Sequence, residues 1–131
     1  MRMNQITLPV TDLPRSVDFY RRLGLIQIVG GPGTYARFEL PDGDATLSLH
    51  ELDDVSGRSG TVVYFECDDL DGTVERLERA GIEFTSGPQD MRWLWREARL
   101  LDPDGNELCL FWAGDNRRNP PWRMPQEPPT A

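Results

Sequence analysis

Thr11-Asp12-Leu13-Pro14-Arg15-Ser16-Val17-Asp18-Phe19-Tyr20 runs on into Arg21-Arg22-Leu23-Gly24-Leu25. The same outline returns as Asp68-Asp69-Leu70-Asp71-Gly72-Thr73-Val74, running on to Ala80-Gly81-Ile82. Asp12 and Asp69, Leu13 and Leu70, Val17 and Val74, Gly24 and Gly81, and Leu25 and Ile82 are each 57 residues apart. One spacing that serves several pairs points to an internal duplication. Within the first copy, Asp12 is placed to cap a helix with Pro14 in its first turn. Val17, Tyr20 and Leu23 form its apolar stripe, and Gly24 suits the left-handed position that ends it.

Strands flank each helix. Ile6, Leu8 and Val10 alternate over Gln5 to Val10, and Leu25 to Val29, Thr34 to Leu40 and Ala45 to Glu51 complete the first half, divided by Gly30-Gly31-Pro32-Gly33 and Pro41-Asp42-Gly43-Asp44. The second half reads Thr61 to Cys67, a helix over Leu70 to Ala80, then Ile82 to Thr85, Met91 to Leu100 and Glu107 to Trp112, with Asp102-Pro103-Asp104-Gly105 as the last turn. The chain therefore divides into a βαβββ module over 1–53, a polar linker over 54–60, a second βαβββ module over 61–114 and a Pro-rich tail over 115–131, all in one compact domain. The expected class is α+β.

Composition narrows the chemistry. The chain has 131 residues, 22 acidic and 14 basic, for a net charge of −8, and every basic residue is Arg. Without Lys there is no Schiff-base chemistry and no P-loop lysine. His50 is the single His, which excludes sites built from two imidazoles of one chain. The acidic balance argues against nucleic acid as a partner. Met1 to Val10 lacks the apolar stretch of a signal peptide and no run is long enough to span a membrane, so a cytoplasmic protein is expected. Cys67 and Cys109 sit in apolar runs and read as buried free thiols.

The duplication, the motif Asp12-Leu13-Pro14-Arg15-Ser16-Val17-Asp18-Phe19-Tyr20 and the turn Asp102-Pro103-Asp104-Gly105-Asn106 together resemble the vicinal oxygen chelate superfamily: glyoxalases, bleomycin-resistance proteins and extradiol dioxygenases. The likeness spans about residues 4 to 113. It implies an incomplete barrel with a site on its concave face, and a homodimer with the site shared between subunits. It also implies, in metal-dependent members, a ligand on the first and last strand of each module.

Carried over position by position, the implied ligand places are Gln5, Ser48, Val62 and Cys109. Ser48 is the looser match, because it requires the first hairpin to be one residue longer than the second. Val has no donor atom and Ser is a poor neutral one. A displaced set of Gln5, His50 and Glu107 is the alternative. It asks the centre to move by a two-residue step of roughly 6.6 Å, against metal–ligand bonds of about 2.0–2.2 Å.

No cofactor is therefore expected, with a divalent metal as the alternative. On the same strand faces lie Gln5, Ser48, His50, Tyr64, Glu66, Glu107 and Cys109. Trp93 and Trp95, two apart, read as a shared stacking platform suited to a planar or cationic ligand. His50 is the one candidate base. Arg37 reads as a solvated strand residue. These features point to a metal-independent binder of a small organic molecule. The competing readings are a lyase, isomerase or dioxygenase with a relocated or degenerate metal site, and a structural dimer whose cavity its own side chains fill.

Overall fold

The computed structural model describes residues 2–55 and 59–125. The first half folds as β1 (Gln5–Val10), α1 (Leu13–Leu23), β2 (Ile26–Val29), β3 (Tyr35–Glu39) and β4 (Thr46–Glu51). The second folds as β5 (Val62–Glu66), α2 (Leu70–Arg79), β6 (Ser86–Asp90), β7 (Arg96–Leu101) and β8 (Glu107–Trp112). Each half makes one four-stranded sheet of the same order, β1-β4-β3-β2 and β5-β8-β7-β6, in which the first and last strands pair in parallel. The architecture is α+β, two modules with no closed barrel.

Both helices start as their sequences require. Asp12 accepts from the Arg15 amide at 3.1 Å and Asp69 from the Gly72 amide at 3.1 Å, each satisfying an orphan donor of the first turn. Gly24 ends α1 at φ 108, a left-handed conformation that a side chain would resist. The buried stripe of α1 is Leu13, Ser16, Tyr20 and Leu23, and that of α2 is Leu70, Val74 and Leu77. They pack on Leu8, Val10, Phe38, Leu47, Leu49, Ala98, Leu100, Leu108 and Leu110 in one core shared by the two modules.

Polar groups tie the modules together as well. Asp102, in the turn before β8, accepts from the Tyr20 hydroxyl of α1 at 2.7 Å. It also accepts from the amides of Asp104 and Asn106 and from the Asn106 side chain, at 3.0, 2.8 and 2.8 Å. Asn106 reaches back to the Pro9 carbonyl at 3.1 Å, and Asp104 holds the amide and hydroxyl of Thr11 at 3.1 and 2.5 Å. Burial, reinforced by Asp102, pushes the Tyr20 phenol far above its ordinary value, so it stays a donor.

Two stretches depart from the periodicity. Ile82 to Thr85 is not a strand: Ile82 is buried in the core and the edge strand forms later, at Ser86–Asp90. Pro88 sits there because an edge tolerates a missing donor. Met91 to Trp95 is not a strand either. It is the β6–β7 turn, with the Leu94 amide bonded to the Met91 carbonyl at 3.0 Å and Leu94 at φ 68. The Trp/Arg alternation imitates a strand where the chain reverses. Beyond β8 the tail makes a short 3-10 helix, Gly114–Arg117, and Trp122 is exposed. Residues 56–58 of the linker and 126–131 of the tail lie outside the described residues. Among the described residues no helix is long and apolar enough to cross a membrane.

Candidate functional site

Each sheet turns one face to its helix. Alternation sends the intervening side chains to the opposite face: Gln5, Tyr35, Arg37, Thr46, Ser48 and His50 in the first module, and Val62, Tyr64, Glu97, Arg99, Glu107, Cys109 and Phe111 in the second. The registers make the two faces superimposable. Gln5 pairs with Thr46 and Val62 with Glu107; one step along, Thr7 pairs with Ser48 and Tyr64 with Cys109. Ser48 and Cys109 are thus equivalent, as the longer first hairpin requires. Arg37 lies across from Ser48 and Arg99 across from Cys109, which makes those arginines counterparts too.

The second face is an aromatic cluster over a closed polar base. Trp95 stacks on Phe111 with ring centroids 4.5 Å apart, and the half-exposed Tyr64 meets both edge-on at 6.0 and 5.8 Å. Beneath, Arg99 bonds Glu97 at 3.2 Å and Glu107 at 3.1 Å, and lies 5.7 Å from the Tyr64 ring. The fully buried Cys109 points its thiol at Glu97, 3.6 Å away. Burial and then the Glu97 charge push that thiol up to about 12.

Cys109 is therefore a packed thiol rather than a nucleophile. In a Cys67→Ser variant at pH 8, its labelling by Ellman's reagent is expected to be roughly a thousandfold slower in the native than in the unfolded protein. Near-equal rates would overturn this. The sign for stability follows. A thiol that holds its proton harder when folded stabilises the fold fully below its ordinary value of 9.0, and that contribution is lost as the pH rises towards about 12.

The first face is built around Tyr35. Its hydroxyl is 2.7 Å from the Ser48 hydroxyl and accepts from Arg37 Nε at 3.0 Å, while the Arg37 guanidinium lies 5.5 Å from the ring. The Ser48 hydrogen bond, with help from Arg37 and Gln5, draws the Tyr35 phenol below its ordinary value. Thr46 donates to Gln5 Oε1 at 2.8 Å. A cleft of about 270 Å³ lies between the first strands of the two modules, with Gln5 and Thr46 on one side and Val62 and Tyr64 on the other.

The residues expected from the sequence are distributed unevenly over this arrangement. Gln5, Ser48, Tyr64, Trp95, Glu107 and Cys109 lie on the two faces. His50 is exposed and pairs with Pro9 and Tyr35, four residues and about 13 Å along the strands from the level of Gln5. Glu66 is taken up by the amides of Ala113 and Gly114 at 2.9 and 3.0 Å and by Arg117 at 3.7 Å, so it anchors the tail. Trp93 and Trp95 do not form a common platform: Trp93 belongs to the turn, and Phe111 and Tyr64 are the partners of Trp95. Arg37 is not simply solvated but half-buried on Tyr35. Tyr35, at the centre of the first face, is the residue that sequence reasoning passed over. The signal was available, since Tyr35-x-Arg37 stands as far before Pro41 as Glu97-x-Arg99 stands before Pro103.

The Glyoxalase/Bleomycin resistance protein/Dioxygenase superfamily profile matches residues 2–110. The chain belongs to this superfamily. It is 30% identical over 127 residues to the protein YraH of Bacillus subtilis (strain 168), covering 85% of this chain and 98% of that one. A crystal structure of a glyoxalase/bleomycin resistance protein/dioxygenase from Nocardioides superimposes with a TM-score of 0.74 at 27% identity, over 95% of this chain and 90% of that one. The crystal structure of a bleomycin-binding protein complexed with bleomycin does so with a TM-score of 0.70 at 25% identity, over 86% and 98%.

Within the superfamily fold, this member's ligand positions do not fit a divalent ion. Val62 offers no donor, the Ser48 hydroxyl is engaged by Tyr35, and the Cys109 thiol is fully buried against Glu97. Glu107 is held by Arg99, and Gln5 and His50 stand too far apart on their strands to share one centre. Among the described residues no group of three or more His, Cys, Asp or Glu is arranged to hold a metal ion.

Proposed function

We propose that this protein binds a small organic molecule, without a metal ion taking part, in the cleft beside the Tyr64–Trp95–Phe111 cluster. The observation that carries this reading is the cluster itself. The half-exposed Tyr64 and partly exposed Trp95, backed by the buried Phe111, stand over polar groups that already satisfy one another, which is how a pocket offers stacking surface without free metal donors. The structural likeness to a bleomycin-binding protein supports the same reading. Two copies form the working unit: Ile26, Ile28 and Trp112 are large apolar side chains left exposed, surface that a homodimer would cover.

Calorimetry against a panel of planar aromatic ligands, bleomycin among them, tests this. Binding is expected to survive EDTA unchanged and to weaken roughly tenfold or more in Trp95→Ala. A stoichiometric divalent ion that copurifies and is lost in Gln5→Ala or His50→Ala would overturn the reading. It would favour the metal-dependent lyase, isomerase or dioxygenase instead. Sedimentation at micromolar concentration checks the dimer.

A further inference from the structure

The two modules share an arginine but not the two carboxylates around it. On the second face Arg99 is neutralised by two carboxylates, Glu97 at 3.2 Å and Glu107 at 3.1 Å. Its counterpart Arg37 has Tyr35 where Arg99 has Glu97, and Thr46 where it has Glu107. Arg37 spends Nε on the Tyr35 hydroxyl, and its two terminal amino groups make no hydrogen bond or ion pair with the described residues. A half-buried guanidinium without a counter-anion is poised for an anionic group. Its planar fork matches a carboxylate better than a point charge. Tyr35 Oη, fixed by Ser48 and Arg37, stands beside it as a further hydrogen-bonding group.

We propose that Arg37 and Tyr35 form the anion-recognition end of the ligand site, and that the ligand is an aromatic carboxylate whose ring lies towards the Tyr64–Trp95–Phe111 wall. The proposal rests on the small-molecule reading above and sharpens it. It turns the planar or cationic ligand expected from the Trp pair into an anionic one, despite the net charge of −8. That charge acts over the whole surface and is screened beyond about 8–10 Å, whereas Arg37 acts at hydrogen-bond distance. The cleft supplies the connection, since Gln5, on the sheet face that carries Tyr35 and Arg37, lines it together with Tyr64.

The probes are 2-naphthoate and its neutral analogue 2-naphthamide, titrated by calorimetry into the full-length protein. The carboxylate is expected to bind about tenfold to a hundredfold more tightly than the amide. In Arg37→Gln that preference should disappear while the affinity for the amide holds. Tyr35→Phe, which keeps the ring under Arg37, should lose part of the preference, and circular dichroism would report whether either variant is folded. Equal affinities in the unaltered protein, or a preference that survives Arg37→Gln, overturns the assignment of Arg37 while leaving small-molecule binding intact. If neither probe binds the unaltered protein, and the wider aromatic panel fails with them, the small-molecule reading falls and the proposal falls with it.

Discussion

Asp102→Ala is expected to lower the stability of the fold by about 3–4 kcal/mol, with a fall in Tm on the order of 10 °C. The side chain is 4% exposed and accepts four hydrogen bonds, from the Tyr20 hydroxyl, the amides of Asp104 and Asn106, and the Asn106 carboxamide. Truncation leaves these donors facing a void. A buried donor without a partner costs about 1–3 kcal/mol, well above the net worth of the bond it lost. Tyr20 is the hardest to rescue. It is fully buried in α1, and its hydroxyl donates to Asp102. Tyr20→Phe is the milder change, about 1 kcal/mol, because Asp102 keeps its three other donors. Urea denaturation of the two variants checks the order. A cost for Asp102→Ala below that of Tyr20→Phe would show that the turn holds itself and that the link between modules adds little.

The clamp explains which part of the fold was legible in the sequence. Asp12, Pro14, Gly24 and the stripe of α1 carry local instructions, and each acts within a few residues of itself. The 57-residue spacing then copied that reading onto the second module. What Tyr20 and Asp102 do for each other was out of reach, since they stand 82 residues apart and neither helix periodicity nor turn chemistry concerns such a pair. Read alone, Asp102-Pro103-Asp104-Gly105-Asn106 is a turn. Only the packed core shows that it also grips the start of α1.

The site was less legible for the same reason. Strand alternation placed Gln5, Ser48, Tyr64 and Cys109 on the correct faces, because a period of two needs no tertiary information. It failed at Trp93 and Trp95, where alternation of large side chains survives a turn that the backbone bond from Leu94 to Met91 creates. It passed over Tyr35 and Arg37 because an aromatic and a basic residue two apart describe most solvated strands. Their meaning comes from contrast with Glu97 and Arg99, and that contrast exists only once the hairpins are aligned.

The contrast also sets the second large effect. Arg99→Leu is expected to destabilise the protein by about 3 kcal/mol, the lower end of the cost of breaking a buried pair. Glu97 is 4% exposed and would keep only the Cys109 thiol, 3.6 Å away and a weak donor. The estimate stays at the lower end because Arg99 and Glu107 retain access to water, with side chains 25% and 38% exposed. Removing both partners should undo most of the damage. In Arg99→Leu with Glu97→Leu no charge is left stranded, and apolar replacement of a buried pair is often neutral or stabilising. A double-mutant cycle on the urea midpoints therefore reads a coupling of at least about 1.5 kcal/mol between these residues. Strict additivity would mean that water already reaches Glu97, and that Arg99 is as available to a ligand as Arg37. The measured coupling thus decides whether the two modules divide their labour, one arginine holding the sheet face together and the other left open for recognition.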